Sequence, residues 1–143
     1  MMRIIFLGIL IKKRHVFFSL ALFFLIYLVE VAGKLFIYHP DPPAVYNRYA
    51  FDFHLPSSYI VKTSFSYPSG HVGRSTFLIV ILLFLILISK WKQGKKLLAS
   101  SFLVLLLLSI LISRVYLGEH WVSDVLGGLL LGGSLAAFSL GFW

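Results

Sequence analysis

The sequence predicts an all-α integral membrane protein, a helical bundle with about four transmembrane helices. Of its 143 residues, 59% are hydrophobic, and the mean hydropathy of +0.94 is too high for a soluble protein of this size. Several apolar runs approach or exceed the roughly 20 residues that a helix needs to cross a bilayer. Short clusters of lysine and arginine separate some of these runs, as in the loops of membrane proteins.

Four apolar runs are long enough to span a bilayer, and we expect them at residues 16–38, 71–89, 97–116 and 121–142. Residues 4–11 are also apolar, but they are too few to span, so we expect them to lie at the membrane interface. The chain is thereby divided into a cytoplasmic or interfacial segment, residues 1–15, and one transmembrane domain, residues 16–143.

The basic residues predict how the helices are oriented, because lysine and arginine in short loops mark the cytoplasmic side of a membrane. One basic cluster precedes the first span and another separates the second span from the third: Arg3, Lys12, Lys13 and Arg14, then Lys90, Lys92, Lys95 and Lys96. We therefore expect a multi-pass protein of the cell membrane with cytoplasmic N- and C-termini. The loop at residues 39–67 is then extracytoplasmic, and its many aromatic residues favour a position at the level of the lipid headgroups.

Composition also argues against some partners and cofactors. The formal net charge is +8, but the basic residues are divided among separate loops, so we expect no nucleic-acid partner. The chain has no cysteine and therefore no thiolate metal site. In the fourth span, Gly128, Gly132 and Ala136 recur at a spacing of four, which lets helices approach closely. Packing inside the bundle and a homo-oligomer interface are both open on this evidence.

The first polar stretch with catalytic potential joins the third span to the fourth. His120 and Asp124 are four residues apart, so on a helix their side chains share one face. A carboxylate bound to one imidazole nitrogen leaves the other nitrogen available as a nucleophile. The alternative is an ion pair at the start of a helix, where a carboxylate is favourable. Arg114 closes the third span nearby, either as a bidentate phosphate ligand or as an arginine that reaches to the membrane surface.

The second polar stretch is Pro68-Ser69-Gly70-His71, at the start of the second span. Ser69 is suited to be the N-cap of that helix, and Gly70 lets a ligand approach the backbone closely. The free N–H groups of a helix start form an anion site. His71 is then placed to donate a proton to a leaving-group oxygen, unless it is an incidental histidine beside a cap.

Three more cations are predicted on the same side of the membrane. Lys34 lies one turn after Glu30, where an ion pair with that glutamate and a phosphate-binding role are both open. Arg48 lies in the outer loop, and Arg74 lies one turn after His71. Both are candidate anion ligands, and Arg74 alternatively contacts lipid headgroups.

Together these residues resemble the type 2 phosphatidic acid phosphatase (PAP2) superfamily of membrane lipid phosphatases. That family shows Lys-x6-Arg-Pro, Pro-Ser-Gly-His and Ser-Arg-x5-His-x3-Asp. The second motif is complete at residues 68–71, and the third is complete at residues 113–124. The resemblance runs from about Glu30 to the fourth span. It implies a PAP2-like core and an enzyme that hydrolyses phosphoric monoesters or diphosphates without a metal or other cofactor.

The resemblance also implies a role for each matching residue. His120 is the nucleophile that forms a phosphohistidine, Asp124 orients it, and His71 protonates the departing oxygen. The remaining candidates hold the phosphoryl oxygens or supply positive charge: Lys34, Ser69, Gly70 and Arg114.

The first motif departs from the family pattern. Counted from Lys34, the position of its arginine is occupied by Asp41, which is followed by Pro42. An aspartate does not bind a phosphate directly, so we expect Arg48 to replace the missing cation. Many relatives have six spans, whereas only four are predicted here.

The predicted function is a phosphatase that acts on a lipid phosphate at the extracytoplasmic face. Polyprenyl diphosphate (undecaprenyl diphosphate, for example), phosphatidic acid and phosphatidylglycerol phosphate all fit a site at headgroup level. One alternative is a lipid phosphotransferase with the same site, and another is a non-catalytic lipid-binding membrane protein. A zinc site formed by His71, His120 and Asp124 is a weaker possibility.

Overall fold

A computed structural model describes residues 2–46, 48 and 65–142, with side chains from residue 14 onward. Its four long helices are α1 (Met2–Phe36), α2 (Gly70–Ile88), α3 (Gln93–Tyr116) and α4 (Val122–Leu140). A short 3₁₀ helix occupies Ala44–Tyr46, and no strand is present in the described residues. The middle of the loop at residues 39–67, which is predicted to lie among the lipid headgroups, falls outside the described residues.

All four helices are long and apolar enough to cross a membrane, over Arg14–Phe36, Gly70–Ile88, Gln93–Tyr116 and Val122–Leu140. The prediction of an all-α, multi-pass membrane protein is therefore confirmed. The largest difference from the predicted ends is at α3, which begins at Gln93 rather than residue 97. Its first turn contains polar residues, and one of them, Lys96, donates from Nζ to the Leu87 carbonyl at 2.6 Å. That bond satisfies an orphan carbonyl at the end of α2.

The apolar residues 4–11, expected at the interface, are helical and continuous with α1. Their position relative to the membrane stays a prediction.

The bundle is organised around close contact between α2 and α4. A Cβ added at Gly132 would overlap the Gly73 carbonyl oxygen, and one added at Gly128 would overlap the Ser69 carbonyl oxygen. The two helices therefore touch backbone to backbone, which small residues alone permit. Gly128, Gly132 and Ala136 are all buried in this contact. The interpretation of this row as packing inside the bundle is confirmed.

Helix α1 packs across the α2–α4 pair and closes the core. Leu22 and Ile26 of α1 meet Phe77 of α2 and Ala136 of α4 in one buried cluster. In contrast, α3 buries none of its residues and contacts mainly α2. It lies at the edge of the bundle, where its apolar side chains face the lipid.

We expect Gly132→Ala to destabilise the protein, because the added methyl group has no space against the Gly73 carbonyl. Overpacking costs about 1–3 kcal/mol, and the better helix propensity of alanine offsets about 1 kcal/mol of that loss. The matched control is Gly133→Ala, whose methyl group would lie 3.9 Å from Thr76 Cγ2 in ordinary contact. Thermal unfolding in detergent measures both variants. Equal unfolding midpoints would contradict the close α2–α4 contact.

Candidate functional site

The two polar stretches meet at one end of the α2–α4 contact. The Ser69 N–H donates to the carbonyl of Asp124 at 3.0 Å, so the start of α2 is bonded directly to the first turn of α4. Both residues are fully buried. The second and third motifs, 55 residues apart between Ser69 and Asp124, therefore belong to a single site.

Asp124 connects the start of α4 to His120. Its Oδ2 accepts the Trp121 N–H at 3.0 Å and lies 3.3 Å from His120 Nδ1. The carboxylate therefore caps the helix and also contacts the imidazole, and its role in orienting a nucleophile stays a prediction. Asp124 leaves the second ring nitrogen of His120, Nε2, available for a ligand. The His120 side chain is 11% exposed, which places it within the site rather than on the outer surface.

A tight turn brings Arg114 next to His120, as predicted. The N–H groups of Glu119 and His120 both donate to the Arg114 carbonyl at 3.2 Å. Gly118 has a φ of 72°, a left-handed conformation that glycine adopts without strain. The Arg114 guanidinium forms an ion pair with Glu119 through Nη1. Its Nε is buried and has no hydrogen-bond partner in the structure.

Ser69 is the N-cap residue of α2, as predicted, but its side chain makes no capping hydrogen bond. Its Oγ is buried and has no hydrogen-bond partner among the described residues. Buried polar atoms are almost always paired, so Ser69 Oγ and Arg114 Nε are two donors that lack an acceptor. They come from different motifs of the same site.

Gly70 and His71 form the first turn of α2. The carboxylate of Glu30 lies directly against Gly70, and any Cβ at this position would overlap it. The glycine is therefore required by close approach of a side chain. His71 is half-buried, and the charged groups that act on it are Arg114, Arg74, Glu119 and Glu30. The structure thus brings His71 close to the charges of the third motif.

Lys34 and Arg74 share one carboxylate. Lys34 Nζ lies 2.9 Å from Glu30 Oε1, and Arg74 Nη1 pairs with Glu30 Oε2. Glu30 is buried, with 7% of its surface exposed. The ion pair that was one of the two readings of Lys34 is present, and it also includes Arg74. Both cations lie beside the N-terminus of α2, and about a quarter of each side chain is exposed.

Arg48 lies against the end of α3. Its guanidinium is 4.9 Å from the centre of the Tyr116 ring, and its N–H donates to the Leu117 carbonyl at 3.1 Å. These contacts place it at the same end of the bundle as the Arg114–His120 turn. They are contacts with Tyr116 and Leu117 rather than with the other predicted phosphate ligands, so its role stays a prediction.

Sequence reasoning missed the residues on the other side of Asp124. His39 Nδ1 lies 3.0 Å from Asp124 Oδ1 and 3.1 Å from the Oγ of Ser66. Ser66 is 2% exposed. The sequence offered one indication. His39 follows the C-terminal end of α1, so the predicted topology puts it on the same side of the membrane as both motifs. Its contact with Asp124 depends on the path of the loop, which no periodicity encodes.

The described residues contain no group of three or more histidine, cysteine, aspartate or glutamate side chains arranged to hold a metal ion. In particular, His71, His120 and Asp124 do not form such a group. The zinc site considered from the sequence is therefore not supported by the geometry.

Comparison with known proteins places the chain in a family. A family model described as "PAP2 superfamily" matches residues 12–143. Phosphatidylglycerophosphatase B of Bacillus subtilis (strain 168) is 43% identical over 76 residues, which are 50% of this chain and 36% of that protein. The matched region is therefore little more than a third of the length of that curated relative.

A solved structure has a similar fold. The first transmembrane PAP2 type phosphatidylglycerolphosphate phosphatase from Bacillus subtilis superposes with a TM-score of 0.64 at 27% sequence identity. The superposition covers 97% of this chain and 68% of that chain.

We expect Glu30→Ala to destabilise the protein, because Lys34 and Arg74 lose the carboxylate between them. Removing one partner of a buried ion pair costs about 3–5 kcal/mol, and partial exposure of both cations lowers our expectation to about 2 kcal/mol. Asp41→Ala, which removes an exposed carboxylate, is the control. The unfolding midpoint in detergent measures both. If Glu30→Ala is as stable as Asp41→Ala, Glu30 does not hold this part of the site together.

Proposed function

Because the chain belongs to the PAP2 superfamily, we propose that it is a membrane phosphatase that hydrolyses a lipid phosphate or diphosphate through a phosphohistidine on His120. One observation carries the proposal. His120, its carboxylate partner and two buried donors without an acceptor, Ser69 Oγ and Arg114 Nε, lie in a single site.

The two unpaired donors indicate the chemistry of the ligand. A buried donor without a partner costs about 1–3 kcal/mol, so a ligand that brings acceptor oxygens to both recovers that free energy. The N-terminal N–H groups of α2 add further donors beside Gly70, and the Arg114 guanidinium adds charge. Phosphoryl oxygens are acceptors and carry negative charge, so they fit this set of donors.

In the first step, His120 Nε2 attacks the phosphorus atom. A P–N bond forms, and the bond from phosphorus to the leaving oxygen breaks. Asp124 Oδ2 keeps Nδ1 in place at 3.3 Å and stabilises the positive charge that develops on the imidazole. His71, protonated at this point, gives its proton to the leaving oxygen.

In the second step, a water molecule attacks the phosphorus of the phosphohistidine. His71 is now neutral and accepts one proton of that water, while the P–N bond breaks and its electron pair returns to His120 Nε2. Inorganic phosphate is released, and His71 is again protonated. Fixed donors at Ser69, Gly70 and Arg114 face the phosphoryl oxygens in both steps, without a metal ion.

The cations of the site are already paired with carboxylates, with which a phosphate has to compete. Glu30 neutralises part of the charge of Lys34 and Arg74, and Glu119 does the same for Arg114. An arriving phosphate therefore shares these cations with two carboxylates that are already present. Lys34, one turn after Glu30, supplies positive charge from the side of α1.

The substrate is a lipid whose phosphate lies at headgroup level. The names of the two Bacillus proteins favour a phosphatidylglycerol phosphate monoester. Phosphatidic acid is also a phosphate monoester, and undecaprenyl diphosphate offers the terminal phosphoryl group of a diphosphate. From the basic clusters we place the site on the extracytoplasmic face and both termini in the cytoplasm.

Purified protein in detergent with EDTA should release phosphate from at least one of these three lipids. His120→Ala should reduce the rate by about 1,000-fold or more, because it removes the nucleophile. The control is His15→Leu, a histidine near the other end of the membrane-spanning part of α1, about 20 residues from Lys34. Wild-type protein quenched in base should also carry acid-labile phosphate that His120→Ala lacks.

Other results would change the proposal. Activity that EDTA abolishes would indicate metal dependence. Product that forms only when an acceptor lipid or sugar is added would identify a phosphotransferase. No release of phosphate from any lipid, by folded protein, would favour the lipid-binding alternative.

Arg48 is expected to replace the arginine that the first motif lacks. Arg48→Ala should then lower kcat/KM by about tenfold, the loss of one charge-assisted contact to phosphate, and Arg48→Lys should retain part of the activity. Tyr116→Leu removes the ring on which Arg48 rests and keeps the cation. Phosphate release by Arg48→Ala at the wild-type rate would show that the guanidinium only packs on Tyr116.

A further inference from the structure

We propose that His39 is a positioning residue of this site, which holds the second oxygen of Asp124 so that the first oxygen stays on His120. The inference rests on the proposed function, because it concerns how the nucleophile is supported. His39 occupies none of the fixed positions of the three motifs, and it lies at a variable position of the first motif, five residues after Lys34.

The two oxygens of Asp124 face different partners. Oδ2 contacts the Trp121 N–H and His120 Nδ1. Oδ1 lies 3.0 Å from His39 Nδ1. This is a close electrostatic contact rather than an aligned hydrogen bond, since no donor of the described residues is aligned with Oδ1. The Ser66 hydroxyl also acts on this carboxylate. His39 is thus the imidazole on the far side of the same buried carboxylate.

His39 is itself firmly placed. Its carbonyl accepts the Ser66 N–H at 2.9 Å, and the adjacent residue Pro40 pairs with Phe65 across the base of the outer loop. The indole Nε1–H of Trp121 donates to the Pro40 carbonyl at 2.9 Å. The base of the loop is therefore tied to the start of α4, beside Asp124.

The side chain of His39 is held at both nitrogens. Nε2 lies 3.0 Å from the hydroxyl of Ser123, and Nδ1 lies 3.1 Å from the hydroxyl of Ser66. We assign the hydrogen to Nδ1, so that Ser123 donates to Nε2 and the Nδ1–H has Ser66 and Asp124 within reach. The ring is then fixed with its Nδ1–H aligned with Ser66 and with the positive end of that N–H dipole beside the carboxylate.

This arrangement has a consequence for His120. The terminal torsion of an aspartate is soft, and a buried carboxylate oxygen is less unfavourable when the positive end of an N–H dipole lies beside it. Without His39, the carboxylate gains by turning Oδ1 toward other donors, which moves Oδ2 away from His120 Nδ1. The nucleophile then loses its orientation, although every fixed residue of the two complete motifs is still present.

Three substitutions test the role of the Nδ1 donor. His39→Leu keeps the approximate size of the side chain and removes both nitrogens. His39→Asn keeps an N–H donor near the position of Nδ1, whereas His39→Gln places its amide near the position of Nε2. The matched control is His15→Leu. The measurements are kcat and KM for the best lipid substrate, with the unfolding midpoint of each variant.

We expect His39→Leu to lower kcat about 10- to 100-fold, the effect of a small misplacement of a reacting group, with KM and the unfolding midpoint close to wild type. His39→Asn should recover most of this loss, and His39→Gln should recover little. A wild-type kcat for His39→Leu would overturn the proposal. So would recovery by Gln rather than Asn, or a loss of kcat that follows the loss of folded protein in all three variants.

The same assay separates this inference from the proposed function. If His120→Ala is inactive and His39→Leu is fully active, only the role of His39 is wrong. If His120→Ala retains the wild-type rate, His120 is not the nucleophile and both proposals fail.

Discussion

The contact between α2 and α4 is the constraint on which the rest of the molecule depends. Gly73, Gly128 and Gly132 allow the two backbones to touch. The same approach brings the Ser69 N–H within 3.0 Å of the Asp124 carbonyl. The distance between the two motifs is therefore set by the packing of the membrane-spanning helices. A bulkier residue in this contact would separate the motifs even if all their side chains were unchanged.

Charge balance is the second organising feature. The bilayer interior is a poor environment for isolated charges, and Lys34, Arg74 and Arg114 have carboxylate partners at Glu30 and Glu119. Neither glutamate occupies a fixed position of the two complete motifs. The two glutamates nevertheless determine the orientation of the Lys34, Arg74 and Arg114 side chains. The cations at this end of the bundle are thus neutralised in part by carboxylates of the chain itself, which stabilises them while no ligand is bound.

Much of this structure was predictable from the sequence, for identifiable reasons. Hydropathy locates the spans because the bilayer requires about 20 apolar residues for each, and the ends of α2 were predicted within one residue. The convergence of the two polar stretches, which meet at Ser69 and Asp124, follows from an alternating topology with short connections. By contrast, the stacking of Arg48 on Tyr116 and the contact of His39 with Asp124 depend on how an irregular loop folds back over the helix ends. That path is decided by individual tertiary contacts, such as the bond from Trp121 to the Pro40 carbonyl.

Helix α3 contrasts with the glycine-lined pair beside it. No residue of α3 is buried by protein, so most of its apolar side chains meet lipid tails, which adapt to any shape. Shape complementarity therefore imposes little on the middle of this helix, and one aliphatic residue serves nearly as well as another. Selection can act mainly on its two ends, where Lys96 binds the end of α2 and Arg114 enters the site. In evolutionary terms, we expect substitutions among aliphatic residues to accumulate in the middle of α3, whereas the contacts at its two ends restrict substitution there.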